Sequence, residues 1–151
     1  MSEVRSGTSA FRVAGPDDAV ALTGLERDAN LVALAHVFPG VPYPEDEVLA
    51  RWSRVLADPE VRVEVCGPDV LLDAYVCWDP TTLRHLAVRP ERWGTGLGRL
   101  AVERAVGATR LWCLVENRRA RGLYEHLGWS PTGRDGAAEW PPYPREMEYA
   151  R

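Results

Sequence analysis

The chain has no lysine, isoleucine or glutamine among its 151 residues. Without lysine, Schiff-base catalysis and a P-loop, which needs Lys after its last glycine, are both excluded. Cysteine is scarce: Cys66, Cys77 and Cys113 each sit inside an apolar, strand-like run. Their spacing matches no zinc or redox pattern, so they read as buried thiols in a reducing cytoplasm, with no metal site expected. The longest apolar stretch, around Leu31 to Phe38, falls far short of the roughly 20 residues that a membrane span needs. Met1 to Ala14 has no apolar core, so no secretory signal is expected there either.

What is present is ordinary for a globular protein: 46% hydrophobic and 26% charged residues. The length points to a single domain over 1–151, long enough for a real core. Charge is unevenly placed. From Arg89 to Arg121 eight arginines face three acids, a net of +5, whereas Asp17 to Asp79 has thirteen acids and four arginines, a net of −9. A basic half beside an acidic half suits an anionic ligand on one side and a cationic one on the other, or simply two solvated faces. A pI near 5.4 and the lack of a recognised motif argue against nucleic acid as the partner.

Period and punctuation give the element order. Ser9 to Ala14 reads as a strand, and Gly15-Pro16-Asp17-Asp18 opens a helix with Val20, Leu22, Leu25 and Ala29 on its apolar face. Glu45 to Ala57 reads as a second helix, with Val48, Leu49, Trp52, Val55 and Leu56 at helical spacing. Val61–Cys66, Val70–Trp78 and Leu83–Val88 read as strands joined by tight turns, an antiparallel meander. The period then switches to a helix at Gly98–Val106, a strand at Arg110–Val115 and a helix at Asn117–Leu127. Strands at Trp129–Arg134 and Arg145–Tyr149 complete the chain.

Two motifs carry chemistry. The first is Val88-x-Pro90 followed by Gly94-x-Gly96-x-Gly98 at a helix entrance. Glycines feeding a helix N-terminus present unpaired N–H groups to an anion, with the helix dipole behind them. A dinucleotide loop would place its third glycine where Arg99 stands. The second motif is Asn117-x-x-Ala120-x-x-x-Tyr124, closed by Leu127-Gly128-Trp129. Tyr124 is a candidate proton donor near the anion site, or else packs beside Leu127 and Trp129.

Together these motifs and the element order resemble the GNAT superfamily, the acyl-CoA-dependent N-acyltransferases. The resemblance implies an α/β domain whose mixed, mostly antiparallel sheet of about seven strands is flanked by about four helices. It implies acetyl-CoA as co-substrate, with the amides of Gly94, Thr95, Gly96, Leu97, Gly98 and Arg99 facing the pyrophosphate. The strand end Leu86, Ala87 and Val88 would meet the pantetheine arm. Arg92, Arg99, Arg118 and Arg119 would serve the phosphates, with Asn117 and Ala120 beside the arm and Tyr124 as general acid. Trp93 stands where the family usually has Arg or Gln, and is expected to pack on the helix.

The base stays open at this level. The family often uses a Glu on the strand before the glycine loop, but Thr81 to Leu86 has no acid. His85 titrates in the right range, with Asp73, Glu116 and His36 as further candidates. The resemblance also places the acceptor between two similar loops, Phe38-Pro39-Gly40-Val41-Pro42-Tyr43-Pro44 and Trp140-Pro141-Pro142-Tyr143-Pro144. Phe38, Tyr43, Trp140 and Tyr143 could wall an apolar subsite, with Glu45, Asp46, Glu47 and Glu139 drawing in a cation. The reading is acetyl transfer to a primary amine with a small apolar or aromatic body. A non-catalytic acyl-CoA sensor and a protein or peptide N-acetyltransferase are the alternatives. Partners on this reading are a small-molecule amine, without nucleic acid or membrane, and the family allows a homodimer.

Overall fold

The computed structural model describes residues 10–151; Ser9, at the start of the expected first strand, lies outside them. A seven-stranded sheet runs β1 (Phe11–Val13), β2 (Arg62–Cys66), β3 (Ala74–Trp78), β4 (Thr82–Val88), β5 (Arg110–Leu114), β7 (Arg145–Ala150), β6 (Ser130–Ala137). Only β4 and β5 pair in parallel; the other neighbours are antiparallel. Helices α1 (Ala19–Ala33) and α2 (Glu45–Ala57) cover one face. Helices α3 (Leu97–Arg104) and α4 (Arg118–His126) cover the other.

Local chemistry accounts for the helix boundaries. Three acids open α2 and Arg54 lies in its last turn, which suits the helix dipole at both ends. Asn117 caps α4, its Oδ1 accepting the Ala120 N–H at 3.2 Å. At the start of α1, Asp18 turns back instead, accepting from the Gly15 N–H at 2.8 Å and from Arg12.

The period-2 alternation of the meander sorts the core into two faces. Val63, Val65 and Tyr75 pack with Leu22, Leu25, Val48 and Trp52 under α1 and α2. Val76, Leu83 and Leu111 pack with Ala101, Val102, Tyr124 and Trp129 on the other face. The three cysteines are buried and form no disulfide among the described residues, and burial pushes the thiols of Cys77 and Cys113 up to about 12.

One strand differs from the sequence reading. The run from Val70 to Trp78 pairs only from Ala74, and Val70 is 90% exposed. Gly67, at φ +105°, turns the chain so that a Cβ there would sit 2.6 Å from the Asp73 amide. Pro68 to Leu71 is consumed by that turn, which leaves Val70 and Leu71 exposed while Leu72 returns to the core.

Two features of the fold open a site. The β4–β5 ladder consists of two pairs, Thr82↔Arg110 and Leu83↔Leu111, after which the strands diverge. Asp73 fixes where β4 ends: its carbonyl accepts the Arg89 N–H at 2.8 Å, and its carboxylate holds the guanidinium of Arg89 at 2.5 Å. Arg92 reaches the same carboxylate at 3.4 Å. The glycine run is therefore launched from a fixed point.

Candidate active site

A cavity of about 600 Å³ lies where β4 and β5 part. Its strand wall is Leu86, Ala87 and Val88, its loop wall Arg92, Trp93, Gly94, Gly96, Gly98 and Arg99. Asn117, Arg119, Ala120 and Tyr124 line it from α4. The structure thus brings together nearly all residues expected at an acyl-CoA site. Thr95, Leu97 and Arg118 are the exceptions: Leu97 is buried, the Thr95 hydroxyl donates to the Arg92 carbonyl at 2.6 Å, and the exposed Arg118 pairs with Glu116 at 3.3 Å. Helix α1 supplies Ala29, Asn30 and Ala33, a wall the sequence reading did not include. Its only signal is the small residues at helical spacing.

The loop has the geometry of an anion cradle. Gly94 and Gly96 take φ of +81° and +87°, where L-residues are strained, and no neighbouring atom lies within 4 Å of an added Cβ. Gly98 is small for a different reason: a Cβ there would meet Leu123 of α4 at 3.2 Å. Among the described residues, the amides of Gly94 through Arg99 donate to no backbone carbonyl; pairing resumes with Leu100 N–H to Gly96 O. Six consecutive free donors at a helix N-terminus suit a pyrophosphate without needing lysine.

The strand edge is open as well. Because the Arg89 N–H points to β3, alternation turns the backbone groups of Leu86 and Val88 to the gap. Trp93 already takes one of them, its indole N–H donating to the Val88 carbonyl at 2.9 Å. The rest of that edge is available to an extended amide-bearing arm.

Tyr124 is buried among Trp129 and Tyr149, with ring centroids 6.2 Å away in both cases. Burial, with Cys113 nearby, pushes its phenol well up, so the hydroxyl stays protonated. It lines the cavity and has no hydrogen-bond partner among the described residues.

The remaining candidates divide. His85 lines none of the cavities; it packs against Trp52, with centroids 5.5 Å apart, and burial beside Arg51 and Arg84 pushes it down to about 3. A neutral, hidden imidazole of that kind is badly suited to collecting a proton from an ammonium. Asp73 is occupied by its arginines. His36 donates through Nε2–H to the Glu116 carbonyl at 2.8 Å, tying the α1–α2 loop to the α4 entrance.

A second cavity, of about 340 Å³, lies between the α1–α2 loop and the β6–β7 loop. Phe38, Tyr43 and Trp140 line it. Tyr143 does not: it has φ +58° and is more than half exposed. The two loops are alike in sequence, but that backbone turn sends the second tyrosine out. Of the acids expected here, Glu47 lies at the wall, whereas Glu45 pairs with Arg27 at 2.9 Å. Asn30 lines both cavities and so stands at the boundary of each.

With this geometry in view, the comparisons with known proteins are specific. Residues 72–129 match the family model described as acetyltransferase (GNAT) family. No curated protein matches the chain. Apo YjaB from Escherichia coli superposes with a TM-score of 0.73 at 17% identity, over 93% of this chain and 95% of that one. PaiA N-acetyltransferase from Thermoplasma acidophilum, solved in complex with coenzyme A, gives 0.68 at 14% identity, over 94% and 98%. YncA from Salmonella typhimurium, solved with acetyl-CoA, gives 0.65 at 18% identity, over 93% and 91%. At these identities the likeness is one of fold, and it extends over nearly the whole chain.

Proposed function

We propose that this chain, GNAT in fold and matching that family across its glycine loop and Asn/Tyr helix, moves an acetyl group from acetyl-CoA to a small primary amine. The amine has an apolar or aromatic body. The observation that carries this reading is Asn30, which lines both the cavity at the glycine loop and the aromatic cavity, so that a phosphorylated acyl carrier and an acceptor would be held on either side of one residue.

The residues suggest a division of labour. The free amides from Gly94 to Arg99 hold the pyrophosphate, and the open edge of β4 holds the pantetheine arm. Holding amine and thioester in contact replaces a bimolecular encounter by an effectively unimolecular one. As the C–S bond breaks, the protonated Tyr124 supplies a proton to the departing thiolate, whose acid has a pKa of about 8.5. Phe38, Tyr43 and Trp140 enclose the body of the acceptor. A cavity of about 340 Å³ suits a small molecule better than a folded protein surface.

The test is free-thiol release from acetyl-CoA across a library of arylalkylamines, polyamines, peptides and proteins. Turnover confined to peptide N-termini or protein lysines would remove the small-amine reading and leave acetyl transfer. Binding of acetyl-CoA without turnover of any amine would favour an acyl-CoA sensor of the same fold.

A further inference from the structure

The strand that carries no carboxylate is compensated from the helix above it. Glu26 of α1 is buried yet lines the aromatic cavity, one helical turn before the junction residue Asn30. Its Oε1 accepts from Arg51 Nη2 and from the Trp52 indole N–H at 2.8 Å. Among the described residues, no donor reaches Oε2. Oε2 therefore keeps free acceptor capacity at the wall of an otherwise apolar cavity. The Tyr43 hydroxyl, on a residue of the same wall, is itself buried with no hydrogen-bond partner. A carboxylate oxygen so placed only accepts, and it suits a group with several N–H donors and no acceptor, which is a primary ammonium.

We propose that Glu26 Oε2 binds the ammonium of the acceptor and takes the proton that the amine must lose. This rests on the acetyl-transfer reading above and adds the missing base to it. The proton count closes. The ammonium gives one proton to Glu26 Oε2; its freed lone pair forms the C–N bond as the C–S bond breaks. The thiolate takes the Tyr124 proton, and the second proton shed by the nitrogen restores Tyr124. Glu26 releases its own proton to solvent, so amine cation and thioester yield amide, thiol and one proton.

The surroundings fit this role. Arg51 and Trp52 of α2 fix the carboxylate through its other oxygen. From β3, Tyr75 and Cys77 face it, both kept protonated chiefly by burial. Tyr43, on the α1–α2 loop, is also pushed up by burial and by the charge of Glu26, with Glu45 and Arg27 further out. Glu47 stands exposed at the rim. His85 of β4, behind Trp52, is neutral throughout the working range.

The test uses the full chain, with 2-phenylethylamine as the probe amine and 2-phenylethanol as its uncharged isostere. On the CoA-loaded protein, calorimetry should find the amine bound at least about tenfold more tightly than the alcohol, and Glu26→Gln should erase the difference. In thiol release, Glu26→Gln should lower kcat/KM at pH 7 by about 10²-fold. That deficit should shrink as pH nears about 10, where solvent deprotonates an alkylamine unaided. A folded variant with the parent's pH profile and selectivity overturns the proposal. If Glu26→Gln does not fold, the binding comparison on the parent decides alone, since equal or absent binding of both probes also overturns it. Loss of turnover with every amine, with the charge preference intact, would instead remove the transferase reading.

Discussion

The guanidinium of Arg119 lies over the Trp93 ring, 3.9 Å from its centroid, while the indole N–H of Trp93 donates to the Val88 carbonyl. One side chain thus joins the glycine loop to α4 and to the end of β4, the three walls of the larger cavity. Where a charged residue would offer a phosphate contact, this chain has a brace. A cation–π contact contributes about 0.5–2 kcal/mol, and a neutral hydrogen bond about 1 kcal/mol. Trp93→Ala should weaken acetyl-CoA binding roughly tenfold or more, the equivalent of about 1.4 kcal/mol. Trp93→Phe, which keeps a ring but not the donor, should fall between. Titration calorimetry decides; equal affinity in all three proteins would show the brace to be idle.

Gly96→Glu should abolish the rise in Tm that acetyl-CoA produces by mass action. The substitution forces a side chain into φ +87° and sets a carboxylate where phosphate oxygens are expected. Thermal melts with and without acetyl-CoA read this directly, and an unchanged ligand-induced shift would refute the cradle.

Tyr124→Phe removes the one hydroxyl on α4 that lines the cavity. Turnover should fall by about 10²–10⁴ in kcat, the scale for a lost general acid, with acetyl-CoA affinity little changed. A defect confined to KM would make Tyr124 a packing residue instead.

Trp140→Ala opens the aromatic cavity without touching the glycine loop. The acceptor KM should rise while acetyl-CoA affinity stays put. Steady-state kinetics in both substrates separates the two effects.

His85 gives a stability signature. Its folded pKa is depressed to about 3, against about 6.5 for a free imidazole. Between those values the unfolded chain binds the extra proton, so stability is fully present above about pH 6.5 and declines as pH falls. Asp18, Glu64 and Asp79, all held below their usual range by arginine and backbone donors, add to the decline only at lower pH. Urea midpoints between pH 6.5 and 4.5 should therefore drop in the parent, and His85→Leu should flatten that slope. Parallel curves would mean that the imidazole is hydrated in the native state.

The strands, the four helices and the glycine loop are legible because each is written locally. Glu45–Ala57 came out at its observed bounds, since acids open it and apolar residues recur at helical spacing. What was hidden depends on partners distant in sequence. Glu26 looks like any polar position on a surface helix until Arg51 and Trp52, on another helix, turn it inward. His85 looks like a base until Trp52 and Arg51 cover it. Tyr143 looks like Tyr43, and only a backbone angle separates them. The aromatic cavity is the least legible part, since its walls come from α1, α2 and two loops nearly a hundred residues apart.

The short ladder between β4 and β5 gives the bound arm a second meaning. The chain supplies two rungs, at Thr82 and Leu83, and beyond them gives the amides of Leu86 and Val88 no partner on β5. An extended ligand lying there acts as an eighth strand of foreign chemistry, wedged between neighbours that cannot reach each other. Hydrogen exchange at Leu86 and Val88 would then report occupancy directly, because those two amides are shielded only while the ligand is part of the sheet. On the proposed reading, the protein finishes folding each time it loads.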